Sequence, residues 1–190
     1  MSIQTRRERE RAERERLIVT AARELAETEG WEAVTTRRLA AEIEYSQPVL
    51  YSHFSGKDAI MAAVAVEGFA EFAAQCRKAR TSAAESRQAL ADVGAAYTAF
   101  AEQRPALYDA MFTHAVDLPF ASPEAPALLH EAFAELRETV RPFAGDDHLE
   151  VLTETFWSGL HGLVTLMRDG RLRGEDHQWR LAILIRRFSS

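Results

Sequence analysis

TTRRLAAEIEYSQPVLYSHFSGK, residues 35–57, is the stretch on which the reading of this chain turns. Its first part, Thr36 to about Ile43, puts Leu39, Ala40 and Ile43 on one helical face and Arg37 and Arg38 on the other. Thr35 stands where an N-cap is needed. After a tight turn at Glu44-Tyr45 a second helix opens at Ser46, whose hydroxyl can cap it. Pro48 falls in its first turn, where a missing N–H leaves no bond unmade. A helix of about two turns is not stable alone, so a scaffold has to hold it out.

The faces of that short helix indicate its purpose. Leu50 and Phe54, spaced i and i+4, form an inward stripe. Gln47, Val49, Tyr51 and His53 are then left on the exposed side, with Ser52 beside them. An exposed amide, a phenol and an imidazole near Arg37 and Lys57 suit base edges and phosphates. In helix-turn-helix docking the start of the second helix enters the major groove while the first helix crosses the backbone.

The run Thr35-Thr36-Arg37, Leu39-Ala40, Gln47-Pro48, Leu50-Tyr51, His53-Phe54 and Lys57 resembles the DNA-binding half of the TetR family of bacterial transcriptional repressors. The resemblance implies an all-α fold, with a helix-turn-helix domain over residues 1–58 and an effector-binding and dimerisation domain over 59–190. It also implies a DNA-contacting set of Thr35, Thr36, Arg37, Arg38, Ser46, Gln47, Pro48, Val49, Tyr51, Ser52, His53 and Lys57. Two positions depart from the family pattern. Glu44 replaces the usual turn glycine, at about 1–2 kcal/mol if the backbone is left-handed there, which favours another turn conformation. Arg38 replaces an acidic capping partner and brings a positive charge near phosphate.

Totals set the outer bounds. The chain has 190 residues, 47% of them apolar and 27% charged, which are globular values. One cysteine, Cys76, excludes an intramolecular disulfide and fits a reducing cytoplasm. The longest apolar run, Ala59 to Val66, is short of the ~20 residues of a bilayer span, so a soluble protein is expected. Arg6-Arg7 lacks the apolar segment an export signal needs. The net charge of −6, with 10 basic against 11 acidic residues in 1–60, means that phosphate binding must come from local placement of Arg and Lys.

Residues 1–16 alternate Arg and Glu. They suit a solvated, partly helical arm held by i,i+4 pairs, or an extension whose six arginines reach phosphate or the minor groove. From Leu17, apolar residues (Ile18, Ala21, Ala22, Leu25) mark a buttressing helix that Gly30 ends in left-handed geometry, and Trp31 can fold back onto it. Ser55 to Asp58 reads as a capping box opening a long helix, Lys57 to about Ala79. That helix connects reader to sensor, and its N-terminus with Lys57 is a phosphate anchor. Further helices are expected at about 83–102, 104–113, 124–143, 146–169 and 175–188, with no strands.

Trp157 to Gly162, followed by Gly170-Arg171-Leu172, resembles the tryptophan-histidine-glycine subgroup of TetR effector domains. An apolar pocket is expected from Phe72, Tyr97, Phe100, Tyr108, Met111, Phe112, Phe133, Trp157, His161 and Met167. The last helix is apolar nearly all round, so it is expected to pair with a second copy through Trp157, Leu160, Val164, Trp179, Ile183, Ile185 and Phe188.

The function expected is therefore a cytoplasmic homodimeric regulator with no cofactor, metal or catalytic residue. It would be a repressor that a small apolar effector releases from a near-palindromic double-stranded DNA operator. Two rivals are a small-molecule-binding helical protein without operator binding and a helical enzyme using His161. Residue by residue the plainer readings also weigh: core packing for each pocket aromatic and for Cys76, and a solvated surface for His114 with Asp117.

Overall fold

The computed structural model describes residues 3–114, 118–119 and 122–189; Asp117 lies outside them. Nine α-helices and no strand are present among the described residues. The helices divide between two compact units, Met1–Gly68 with Arg104–Pro126, and Phe69–Gln103 with Ala127–Ser190.

The first unit starts with α1, Ile3–Glu29. The Arg/Glu arm is thus not a separate element but the opening of one unbroken helix, with Arg6–Glu10 and Arg11–Glu15 pairs at 2.8 Å. Ile18, Val19, Ala22, Leu25 and Ala26 are buried along it. It ends at Gly30, whose φ of 82° a side chain would oppose. Next come α2, Thr36–Glu42, and α3, Gln47–Tyr51. Then α4 begins at Lys57, with Gly56 O accepting from Ile60 N, which places Ser55 one residue ahead of a capping position.

Residues 105–112, distant in sequence, join this unit as α6, Pro105–Phe112. Glu27 of α1 accepts from the first free amides of that helix, Ala106 N at 3.2 Å and Leu107 N at 3.1 Å, which satisfies donors no helical carbonyl can reach. Trp31 is buried and donates its Nε1–H to Ala106 O of α6 at 2.8 Å. At Gly68 a Cβ would stand 2.6 Å from Met111 Sδ, so only glycine allows α6 this close.

The second unit holds the rest of α4, which ends at Ser82, with α5 (Ser86–Gln103), α7 (Ala127–Val140), α8 (Leu149–Arg168) and α9 (His177–Phe188). These bounds lie within about three residues of the expected ones. Pro126 delays α7, and Pro142 turns its end into a short tight helix at Arg141–Phe143. Leu90, Val93, Tyr97, Phe100, Leu136, Phe156, Leu160, Val164, Leu181 and Ile185 form the core. Leu181 and Ile185 press on Gly94, and Leu184 on Gly159, so small residues set how closely α9 approaches α5 and α8. The buried Glu135 carboxylate is held by Arg77 Nε at 2.7 Å and Arg80 at 2.8 Å.

Contrary to the short apolar run, α4 as a whole is long and apolar enough to cross a membrane, the one such described helix. Half of its most apolar window is buried inside the protein, however, as in a core helix, and Cys76 is part of that burial. Burial pushes the Cys76 thiol up, so it stays protonated and acts as a small apolar group.

Candidate nucleic-acid interface

Thr35 caps α2 as its sequence position implies, accepting from Arg38 N at 3.2 Å. The turn that follows closes on Ala40 O, which accepts from Tyr45 N at 2.8 Å. Glu44 lies in the left-handed region with φ 57°, correcting the expectation of another turn conformation. The bond from Tyr45 to Ala40 requires that geometry, and the strain is carried by the side chain. Glu44→Gly is therefore expected to raise stability by about 1 kcal/mol, read from denaturant melts; an unchanged or lower midpoint would show the side chain unstrained.

Ser46 precedes α3, but its hydroxyl makes no cap bond; its backbone carbonyl accepts from Val49 N at 3.0 Å instead. Leu50 is 1% exposed and Phe54 half-buried, the inward stripe that was expected. Outward stand Gln47, Pro48, Ser52 and Tyr51, the last 53% exposed, with Val49 half-buried. Thr35 and Arg37 are exposed and Thr36 is half-buried. Thr36 Oγ1 lies 3.3 Å from the Tyr51 hydroxyl, so the polar ends of α2 and α3 meet on one surface.

Three of the four basic residues of the expected set are engaged within the protein. His53 is the clearest correction: its side chain is 6% exposed rather than outward, with Nδ1 3.3 Å from Glu15 Oε1. Arg38 forms a two-armed pair with Glu29, one arm at 2.7 Å. Lys57 Nζ donates to Trp31 O at 2.6 Å, which leaves its other two N–H groups for a phosphate. Nothing in the local sequence announced Glu15, Glu29 or the Trp31 carbonyl as partners, because each arrives from another turn of the fold.

In the second unit, Phe72 packs edge-on against Tyr97 and Phe100 at 5.4 and 5.5 Å. Trp157 Nε1–H donates to the Tyr97 hydroxyl at 3.2 Å, and that hydroxyl lies 3.3 Å from His161 Nδ1. Phe133 on α7 and Trp157, His161 and Met167 on α8 are half-buried, Met167 next to the end of its helix. Tyr108 and Met111, both 1% exposed, and the half-buried Phe112 instead belong to the first unit, so the ten expected pocket residues do not fall in one unit. An open hollow of about 370 Å³, flanked by Glu27, Trp31 and His114, lies in the first unit and contains none of the ten.

His177 was not singled out from the sequence. It is 5% exposed, and Thr98 Oγ1, whose proton goes to Gly94 O, accepts from its Nε2–H at 2.9 Å. Its Nδ1 is buried without a partner. Burial holds His177 below its ordinary value of 6.5, and Arg180 adds to this against an opposing Glu102. His161 is lowered too, by burial and then by Arg168. For histidines depressed in the folded state, stability is complete above about pH 6.5, the ordinary value, and falls with pH as the unfolded chain takes up protons first. Melting temperature should therefore drop on going from about pH 7.5 to 5.5, and His177→Gln should flatten the profile; an unaltered slope would contradict this assignment.

Of the residues expected at a dimer interface, Leu160 and Val164 are 1% and Ile185 6% exposed. They belong to the core of their own chain and are withdrawn from that set. Trp157 and Phe188 are half-buried, Phe188 stacking edge-on with Phe156 at 5.2 Å. Trp179 and Ile183 stay outward at 73% and 49%, and Val151 and Leu166 of α8 join them at 56% and 39%. A helical projection of α8 would have found the last two.

Three matches by sequence and two by structure bear on this arrangement. Residues 18–64 match "Bacterial regulatory proteins, tetR family". Residues 90–188 match "Tetracyclin repressor-like, C-terminal domain". The chain is similar to the uncharacterized HTH-type transcriptional regulator YobS of Bacillus subtilis (strain 168), 28% identical over 93% of this chain and 91% of that protein. In fold it is similar to a protein with unknown function from Rhodococcus sp. RHA1, with a TM-score of 0.76 and 21% identity over 92% of this chain and 93% of that one. It also resembles a TetR protein from Acinetobacter baumannii AYE solved in complex with minocycline, with a TM-score of 0.64 and 19% identity over 90% and 93%. The second match alone spans half of the chain, and with the helix-turn-helix that precedes it, it decides the assignment: the chain belongs to the TetR family, and it is a transcriptional regulator with an N-terminal DNA-binding domain.

Proposed function

We propose that the protein is a cytoplasmic repressor. As a homodimer it holds a near-palindromic operator through α2 and α3, and a small, mainly apolar effector releases it. The observation that carries the DNA reading is the five-residue α3, exposed at Gln47, Pro48 and Tyr51 and held from behind by Leu50. In this reading Gln47 meets a base edge, while Tyr51, Thr35, Thr36, Arg37 and Lys57 meet phosphates. Two such helices about 34–36 Å apart read successive half-sites.

The effector reading is supported by the Phe72, Tyr97 and Phe100 group, which is apolar but carries a Tyr97, Trp157 and His161 polar edge able to orient a ligand. An effector acts only through its differential affinity for the two dimer geometries. Its effect reaches the DNA-binding unit along α4, whose residues belong to both units.

The test is selection of duplexes from a random pool, followed by affinity measurement. Gln47→Ala should lose about 1–3 kcal/mol of discrimination at one base pair, whereas Tyr51→Phe should weaken all sequences alike. A pool in which the unaltered protein retains no duplex would favour the rival reading, a small-molecule-binding helical protein without an operator.

A further inference from the structure

We propose that the opening turns of α1 form a second DNA-binding surface, a ridge of Arg7, Arg11 and Arg14 that follows the phosphate backbone beside the groove read by α3. The inference rests on the DNA-binding reading above and adds a surface that the helix-turn-helix does not supply.

Three observations carry it. First, the arm is helical, so its side chains from Thr5 onward have fixed directions. At about 100° per residue, Arg7, Arg11 and Arg14 fall within roughly 60° of one another, whereas Arg9 and Arg16 lie on the opposite face. Second, the rotation of that helix is set by a contact to the DNA-binding head. Glu15 Oε1 accepts from Arg11 Nε at 2.8 Å and also lies 3.3 Å from His53 Nδ1. His53 follows Tyr51 by two residues and is buried under this contact, so the Glu15 side of α1 is held against the exit of α3. The arginine ridge is the neighbouring face, and the turns before Glu15 continue past that point for roughly 18 Å at 1.5 Å per residue.

Third, the charge on the arm is unevenly held. Arg6 is paired with Glu10 and Arg11 with Glu15, whereas Arg7 and Arg14 enter no ion pair among the described residues. Both are exposed. Between Thr5 and Arg16 the only apolar residue is Ala12, so no face exists that could enter a lipid surface. Guanidinium groups repeating along one helix face beside an exposed reading helix suit the regular charge of a duplex. His53, which the motif offers as a contact, is on this account a positioning residue that aims the arm.

The experiment measures affinity against salt for the full chain by fluorescence anisotropy, on a duplex recovered from the selection and on a 30-base-pair duplex of unrelated sequence. Each lost phosphate contact lowers the slope of log affinity against log salt by about 0.9. Arg7→Ala with Arg14→Ala should lower it by about 2 on both duplexes, and Arg7→Lys with Arg14→Lys should restore most of it. Arg9→Ala with Arg16→Ala removes the same charge from the opposite face and should leave the slope unchanged. Equal slopes for the ridge and opposite-face variants would overturn the proposal, leaving the arm a solvated helix. Absence of any duplex binding by the unaltered protein would instead overturn the DNA reading beneath it.

Discussion

Leu50→Ala should destabilise the protein by about 2–5 kcal/mol, the range for truncating a fully buried leucine. It should abolish operator binding before it abolishes the fold. The five residues of α3 are far below the length at which a helix persists in water. The element exists because Leu50, 1% exposed, is fastened into the core of its unit, and its carbonyl accepts from His53 N and Phe54 N at 2.9 Å. Truncation leaves a cavity behind the one helix whose outward face must be held still. Denaturant melts and anisotropy on the selected duplex measure the two effects. A loss under about 1 kcal/mol with unchanged affinity would mean that α3 is held by something other than this side chain.

Trp179→Glu combined with Ile183→Glu is expected to convert the dimer to a monomer and lower operator affinity by about 10²–10⁴-fold, the order lost when two linked contacts become independent. Trp179 and Ile183 lie one turn apart on α9 and are 73% and 49% exposed, so charging them leaves the core of the chain intact. With Val151 and Leu166 they make up four of the seven large apolar side chains exposed among the described residues, and these four are all on the last two long helices. Apolar surface gathered in this way is what a symmetric partner covers. Sedimentation with circular dichroism separates this outcome from unfolding. Ile185→Glu is the contrasting variant: that side chain is buried in its own chain, and charging it should unfold the protein instead. A doubly charged variant that still sediments as a dimer at micromolar concentration would place the interface elsewhere.

The helix-turn-helix was legible because its signals are local. Thr35 caps α2 by accepting from an amide only three residues on, Gly30 stops α1, and Leu50 and Phe54 are one turn apart, so short-range periodicity and turn chemistry identify them. His53 was misread for the opposite reason. Its burial depends on Glu15, 38 residues earlier, and a helical projection of α3 cannot register a neighbour that arrives on α1. Arg38, joined to Glu29, and Lys57, joined to the Trp31 carbonyl, were likewise read as free cations when their charges are partly engaged. On α9 the run from Leu181 to Ile185 showed a helix apolar on several sides, but not which sides face Gly94 and which face outward.

By itself the sequence determined the class of fold, the helix order, the reading pair and the polar character of its outer face. Those follow from periodicity and capping within a few turns of chain. Only the tertiary structure decided that α6 joins the DNA-binding unit, that the arm is aimed by Glu15 and His53, and which apolar residues of α8 and α9 remain uncovered. These outcomes depend on contacts between residues tens of positions apart. Packing selects among the many pairings that a one-dimensional pattern permits equally.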